Sequence, residues 1–297
     1  MLPPGILLID KPGGLTSHDV VARTRRAFGT RKVGHAGTLD PMATGLLVLG
    51  IEGATRLLTY IVGADKTYTA TIRLGASTTT DDADGEELSR AEADALAAVT
   101  SERIAAGVEA LTGAIAQVPS SVSAIKVDGR RAYERVRAGE EVALAARQVT
   151  VSRFEVLAQR EAGDGIDLDV IVDCSSGTYI RALARDLGAG LGVGGHLTAL
   201  RRTRVGGFSL SDAVGIDDLD GATTLTPAQA AARVMPVLEV SQDEARDLRH
   251  GKRLHGQAGR LTASEVAAID PDGALVGIVE ARGADIKSAM NMPEVQE

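Results

Sequence analysis

Two stretches alternate apolar and polar residues with period two, and they narrow the folds open to the chain more than any other feature. Tyr68-Thr69-Ala70-Thr71-Ile72-Arg73-Leu74 alternates throughout, and Ile166-Asp167-Leu168-Asp169-Val170-Ile171-Val172-Asp173-Cys174 does so over most of its length. Side chains on a strand point to opposite faces in turn, so both stretches read as strands covered on one face. Long antiparallel strands suit this pattern better than a Rossmann alternation. Helical signals lie before, between and after them. Ser17 can cap a helix whose apolar side is Val20, Val21, Thr24 and Phe28, which leaves Arg23, Arg25 and Arg26 on the solvent side. The alanine-rich stretch 91–110 reads as an exposed amphipathic helix. Thr178 precedes a helix with the stripe Ile180, Leu183, Ala184, Leu187 and Leu191, closed by glycines at 188, 190 and 192. Near Met235-Pro236 the pattern resets to short strands such as Ala274–Val279. The expected fold is α+β, with a mixed, mainly antiparallel sheet flanked by helices over 1–235 and a small β-rich domain over 236–297.

With 297 residues, 44% of them hydrophobic, the chain can fill a large core and a smaller one. The first ten residues carry no basic leader, and their apolar run is too short for a signal peptide or a membrane span, so a cytoplasmic protein is expected. The single cysteine, Cys174, excludes an internal disulfide and a cysteine-based zinc cluster. Cys174 ends an apolar strand with no His or basic neighbour in sequence, and it reads as a packing residue. Histidines 18, 35, 196, 250 and 255 lack the spacing of a metalloprotease. The run Thr80-Asp81-Asp82-Ala83-Asp84-Gly85 resembles a calcium loop only in part. Aligning Gly85 with the loop glycine puts Thr80 and Ala91 at the two end ligands, where carboxylates are required. No metal is expected.

A net charge of −8 argues against a protein that coats nucleic acid with its whole surface. The cations are nevertheless grouped: Arg23, Arg25, Arg26, Arg31 and Lys32; then Lys126, Arg130, Arg131, Arg135 and Arg137; then Arg201, Arg202 and Arg204. Acid gathers in Asp81, Asp82, Asp84, Glu86, Glu87, Glu92 and Asp94. Such segregation suits a polyanion docking on one face, although ordinary solvated surfaces carry charge runs too.

The densest punctuation is Gly34-His35-Ala36-Gly37-Thr38-Leu39-Asp40-Pro41-Met42-Ala43-Thr44-Gly45. Three glycines, a proline and a carboxylate describe a loop that turns tightly and can be approached closely. Taken alone, Asp before Pro could simply start a turn. The stretch resembles the signature loop of the TruB family of tRNA pseudouridine synthases. Further blocks follow in the family's order: Asp10-Lys11-Pro12, Lys66-Thr67-Tyr68, Gly75 with Thr78, Thr80 and Asp82, Ser123-Ala124-Ile125-Lys126, Cys174 to Arg181, and His196 to Arg202. Together they span residues 8 to about 204.

The resemblance implies a pseudouridine synthase fold with a C-terminal PUA-like domain and a basic RNA-contacting segment near 120–150. It also implies isomerisation of the uridine at position 55, in the T loop of tRNA, with no cofactor, no membrane and no obligate protein partner, by a monomer. That reaction breaks the glycosidic C–N bond, turns the uracil and joins its C5 to the ribose. It needs a carboxylate at the sugar and walls that retain the freed base. By resemblance Asp40 is that carboxylate, as nucleophile or base. Tyr68 stacks on the uracil, Tyr179 adds a contact, Leu200 closes the pocket and Arg181 partners Asp40. His35 fills the gap left by the extruded nucleotide. Lys11, Lys126, Arg201 and Arg202 suit phosphate contacts. By pattern alone, Tyr68, Tyr179 and Leu200 would be core residues, Arg181 a solvent-facing arginine in the first helical turn and His35 a turn histidine.

Two features depart from the family. Val122 stands where an aromatic residue is usual, and the tail after 236 is short and poorly matched to a PUA module, which weakens the expected grip on the acceptor end. Four Tyr, three Phe and no Trp make a broad base-stacking platform improbable, so recognition should rest on RNA shape plus one extruded base. A tRNA folding chaperone with incidental or no catalysis is the competing reading. A metal-dependent phosphodiesterase built on the acidic run is a remote third.

Overall fold

The computed structural model describes residues 2–120, 126–127, 130–131 and 144–293. Its backbone falls into two units, one made of 1–64 with 204–297 and the other of 65–203.

The first unit opens with β1 (Gly5–Lys11), α1 (Ser17–Ala27), β2 (Val33–Ala36), β3 (Thr44–Ile51) and the single turn α2 (Leu58–Val62). Strand β3 runs antiparallel to both β1 and β2. Ile6-Leu7-Leu8-Ile9 is a continuous apolar run because both faces of β1 are covered. Ile6 and Leu8 join Leu46, Val48 and Phe208, while Leu7 and Ile9 pack with Leu47, Leu49 and the Val20-Val21 side of α1. The N-cap of α1 is Thr16, one residue before the expected Ser17. The Thr16 hydroxyl accepts from the Asp19 N–H at 3.1 Å and the Asp19 carboxylate accepts from the Thr16 N–H at 2.8 Å, a reciprocal cap. Ser17 is buried inside the first turn. Arg23, Arg25 and Arg26 are exposed.

The second unit contains β4 (Lys66–Leu74), β5 (Ala76–Thr78), β6 (Glu87–Arg90), α3 (Ala93–Ala97), α4 (Ser101–Ala110) and β7 (Gly113–Gln117). After the two-residue pair β8 (Lys126–Val127) and β9 (Arg130–Arg131) come β10 (Arg147–Ala162), β11 (Gly165–Cys174), α5 (Ile180–Leu191) and β12 (Gly195–Val205). The order across its sheet is β12-β4-β11-β10-β7. In β4 every second residue from Lys66 to Leu74 is buried, as the period-two pattern requires. The opposite face carries cross-strand polar pairs set by the register: Thr67 donates to Asp173, Thr71 to Asp169, and Arg73 forks onto Asp167 at 2.7 and 3.0 Å. The stretch 91–110 forms two helices rather than one, because Val99 turns inward and Thr100 starts a new cap by accepting from the Arg103 N–H. Helix α5 runs through Gly188 and Gly190 and stops at Gly192, whose φ of 78° is left-handed.

The remainder of the first unit holds β13 (Phe208–Ser209), β14 (Val214–Gly215), α6 (Pro227–Ala232), β15 (Val237–Glu239), α7 (Gln242–Arg249), β16 (Val266–Ile269), β17 (Leu275–Arg282) and β18 (Asp285–Asn291). Strand β14 lies parallel to β1 and makes that sheet mixed. Strands β15 to β18 form a separate four-stranded sheet in sequence order. One side of it packs with α7 through Leu238, Val266, Val276, Ala245 and Leu248. On the other, Ala267, Leu275, Ile278 and Met292 join the cluster of Ile6 and Leu8. The fold is α+β, with a mixed sheet and a small C-terminal sheet. Among the described residues no helix is long and apolar enough to cross a membrane.

Candidate active site

In the first unit the segment between β2 and β3 is braced from beneath. The Lys11 side chain has no solvent exposure, and its ammonium donates to the carbonyls of Pro12, Leu15 and Pro41 at 2.9, 2.7 and 3.3 Å. The Ser17 hydroxyl accepts from the Leu39 N–H at 2.9 Å and donates to the Leu39 carbonyl at 3.1 Å. The Gly14 N–H reaches the Pro41 carbonyl at 2.9 Å, and Ala43 N–H closes on the Asp40 carbonyl at 3.1 Å. Gly37 and Gly45 take φ of 85° and 99°, a region that penalises any side chain. Leu39 and Ala43 are buried while Asp40 between them is half-buried. A carboxylate thus stands on a short loop whose two flanks are anchored. His35, on β2, is half-buried, with its ring edge-on to His18 at 5.7 Å between centroids.

In the second unit Tyr68 lies on the buried face of β4, 8% exposed, and Leu200 on β12 is equally buried. Tyr179 is the N-cap of α5, and Arg181 sits in the first turn. Arg181 is buried and does not face water. Its guanidinium donates to the Thr80 carbonyl at 2.8 Å and lies 3.4 Å from the carboxylate of Asp82, itself buried. Asp82 is held in turn by the Thr80 hydroxyl and the Asp84 N–H. Asp82 belongs to one of the family-like blocks, but the spacing of the acidic run does not separate this buried member from the half-buried Asp81 or the exposed Asp84. Gln117, at the end of β7, carries no signal in the sequence. Its amide accepts from the Tyr179 N–H at 2.8 Å and donates to the Tyr179 carbonyl at 3.1 Å.

The phosphate contacts expected of Lys11 and Arg202 do not suit what the structure shows. Arg202 is 1% exposed and Lys11 fully buried; buried cations hold their own chain and are not presented to a polyanion at the surface. Lys66, also buried, carries an ammonium whose pKa is pushed down to about 8, first by burial and then by the nearby Arg202 charge. Cys174 lies opposite Lys66 across the β4–β11 ladder. Burial pushes its thiol up to about 11, so it is a packed, protonated group rather than a nucleophile. Val122, Arg135 and Arg137 lie outside the described residues, as do the side chains of Lys126, Arg130 and Arg131.

A profile described as TruB family pseudouridylate synthase, N-terminal domain, matches residues 25–180. Profiles for the tRNA pseudouridylate synthase B C-terminal domain and for the C-terminal part of tRNA pseudouridine synthase II match 181–239 and 235–293. The chain is 63% identical to the tRNA pseudouridine synthase B of Leifsonia xyli subsp. xyli over 99% of its length and 98% of that protein. It is 59% identical to the same-named protein of an Arthrobacter species, over 96% and 95%. Among solved structures, a chain of an H/ACA ribonucleoprotein bound to a substrate RNA containing 2'-deoxyuridine has a TM-score of 0.72 at 24% identity, over 98% of this chain and 85% of that one. A chain of the archaeal box H/ACA Nop10–Cbf5 complex has a TM-score of 0.71 at 25% identity, over 97% and 85%. With a profile over more than half its length and relatives alike almost from end to end, the chain belongs to the TruB family of pseudouridylate synthases.

Proposed function

We propose that the protein isomerises a uridine of tRNA to pseudouridine, at position 55 in the T loop, with Asp40 as the reacting carboxylate. The observation that carries this reading is the half-buried Asp40 between the buried Leu39 and Ala43, on a loop tied down by Lys11 and Ser17. Family membership supports the reaction class. A uridine folded into a loop is stacked and must be extruded at a cost of roughly a few kcal/mol; His35 takes the vacated place. Asp40 then acts at the ribose as nucleophile or base while the C–N bond breaks. Tyr68 stacks on the detached uracil, a contact worth about 1–3 kcal/mol, and Tyr179 and Leu200 confine it until C5 meets the sugar. Arg181, braced by Asp82 and Thr80, keeps the reacting carboxylate ionised. Bonds broken and formed balance within the nucleotide, so no redox partner enters.

The test is incubation of an unmodified tRNA transcript with the protein, followed by chemical mapping of every uridine. One new pseudouridine in the T loop is expected, and a transcript with cytidine at that position should stay unmodified. Modification elsewhere, or none, would refute the assignment.

A further inference from the structure

Helix α5 begins without the usual side-chain cap. Its N-cap residue is Tyr179, in an extended conformation with φ −103° and ψ 107°, and no side chain of its own caps the first turn. The segment leading to it passes through Gly177 at φ 89°. Thr178 closes the turn before it, its N–H and hydroxyl both donating to the Ser175 carbonyl, at 3.4 and 3.0 Å. A further constraint comes from 62 residues away in sequence. Gln117 is 2% exposed, and both ends of its amide are used on one residue, accepting the Tyr179 N–H at 2.8 Å and donating to the Tyr179 carbonyl at 3.1 Å. That is the exchange a neighbouring strand would make with Tyr179, carried out by a side chain. The same seam has a second fastening one residue on. Arg185, one turn beyond Arg181 on α5, donates to the Val118 carbonyl at 2.7 Å and pairs with Asp81 at 3.2 Å, next to the Asp82 that faces Arg181.

We propose that Gln117 is a positioning residue for the reaction: its amide fixes the main chain of Tyr179 and so aims both Tyr179 and Arg181. This rests on the roles given to those two residues above. Gln117 touches no reacting atom; it acts through the start of α5. Loss of both hydrogen bonds frees a polar backbone whose displacement by about 1 Å would lower the rate on the order of 100-fold.

Three variants test it in the full-length protein: Gln117→Met, which keeps the volume without the hydrogen bonds, Gln117→Glu, which keeps only the acceptor, and Val276→Ala, a core truncation in β17 of the small C-terminal sheet. Single-turnover rate on tRNA, tRNA Kd and Tm are measured for each. Gln117→Met should lose roughly 10- to 100-fold in rate with Kd within about twofold, while Val276→Ala loses Tm and keeps its rate. For Gln117→Glu the rate relative to the unaltered protein should climb as pH falls, because a buried carboxyl that takes up a proton regains the donor for the Tyr179 carbonyl. An unchanged rate in Gln117→Met, or a fall no larger than that of Val276→Ala at an equal loss of Tm, would overturn the positioning role alone. A wild-type protein inert on tRNA would overturn the functional reading as well.

Discussion

Single residues carry the least legible part of this molecule. Lys11 and Arg202 look in sequence like cations for a phosphate backbone, yet both are buried, and the Lys11 ammonium is used on three carbonyls around the Asp40 loop. A string of letters does not say which cations of a protein face inward, because that depends on carbonyls supplied by segments 30 residues away, as Pro41 is from Lys11. The same holds for Asp82, which only its fold neighbours separate from Asp81 and Asp84. Local backbone demands left a mark for the glycine-flanked loop of Asp40 and the alternating strand of Tyr68, whereas the roles expected of the two residues came from family resemblance. Cys174 offers a direct check of the burial argument. With 2% exposure and a thiol pushed up to about 11, it should resist a thiol-alkylating reagent at pH 8 in the folded protein and react fully in denaturant. Rapid native labelling, followed by mass spectrometry, would show that the β4–β11 ladder is open there.

At the level of elements, the strands with period-two patterns emerged within a residue or two of their observed ends, since one covered face imposes the alternation directly. Strand β10 was not anticipated. Most of its 16 residues are exposed or half-exposed, so it lacks the apolar rhythm that marks its partner β11. Helix α5 was legible in its stripe but not in its end, because Gly188 is needed for packing and not as a stop. A Cβ at Gly188 would lie 2.2 Å from the Gly194 carbonyl carbon. Gly188→Ala should therefore destabilise the protein by about 1–3 kcal/mol or more, read as a lowered urea midpoint; an unchanged midpoint would mean that the approach of α5 to the start of β12 is looser than drawn. In the small sheet, Asp270 holds the β16–β17 turn. Burial raises its carboxyl, but the Arg249 guanidinium at 2.7 Å and the N–H groups of Ala274 and Asp272 outweigh it and hold the group below its usual 3.8. A depressed carboxyl stabilises the fold above its unfolded value, and that contribution disappears as pH falls through the folded one. Asp270→Asn should cost roughly 1–3 kcal/mol at pH 7, and the gap from the unaltered protein should narrow as pH falls below 3.8. A gap that stays constant as the medium is acidified, measured by denaturation, would contradict the charge argument.

Across the whole molecule, the α+β class, the antiparallel sheet and the separate C-terminal strands could be read from pattern, whereas the grouping of 204–297 with 1–64 could not. That grouping depends on Ala267, Leu275 and Ile278 sharing a cluster with Ile6 and Leu8, and contacts so distant in sequence leave no period behind. The acid content is likewise uninformative as a total: a net charge of −8 coexists with exposed arginines along α1. The choice between an isomerase and a tRNA-folding protein without chemistry turns on one carboxylate. The decisive measurement is single-turnover pseudouridine formation by Asp40→Asn beside its Kd for the same tRNA. A rate lower by roughly four orders of magnitude or more with binding retained is predicted; a variant that still converts the T-loop uridine at the unaltered rate would contradict the role of Asp40.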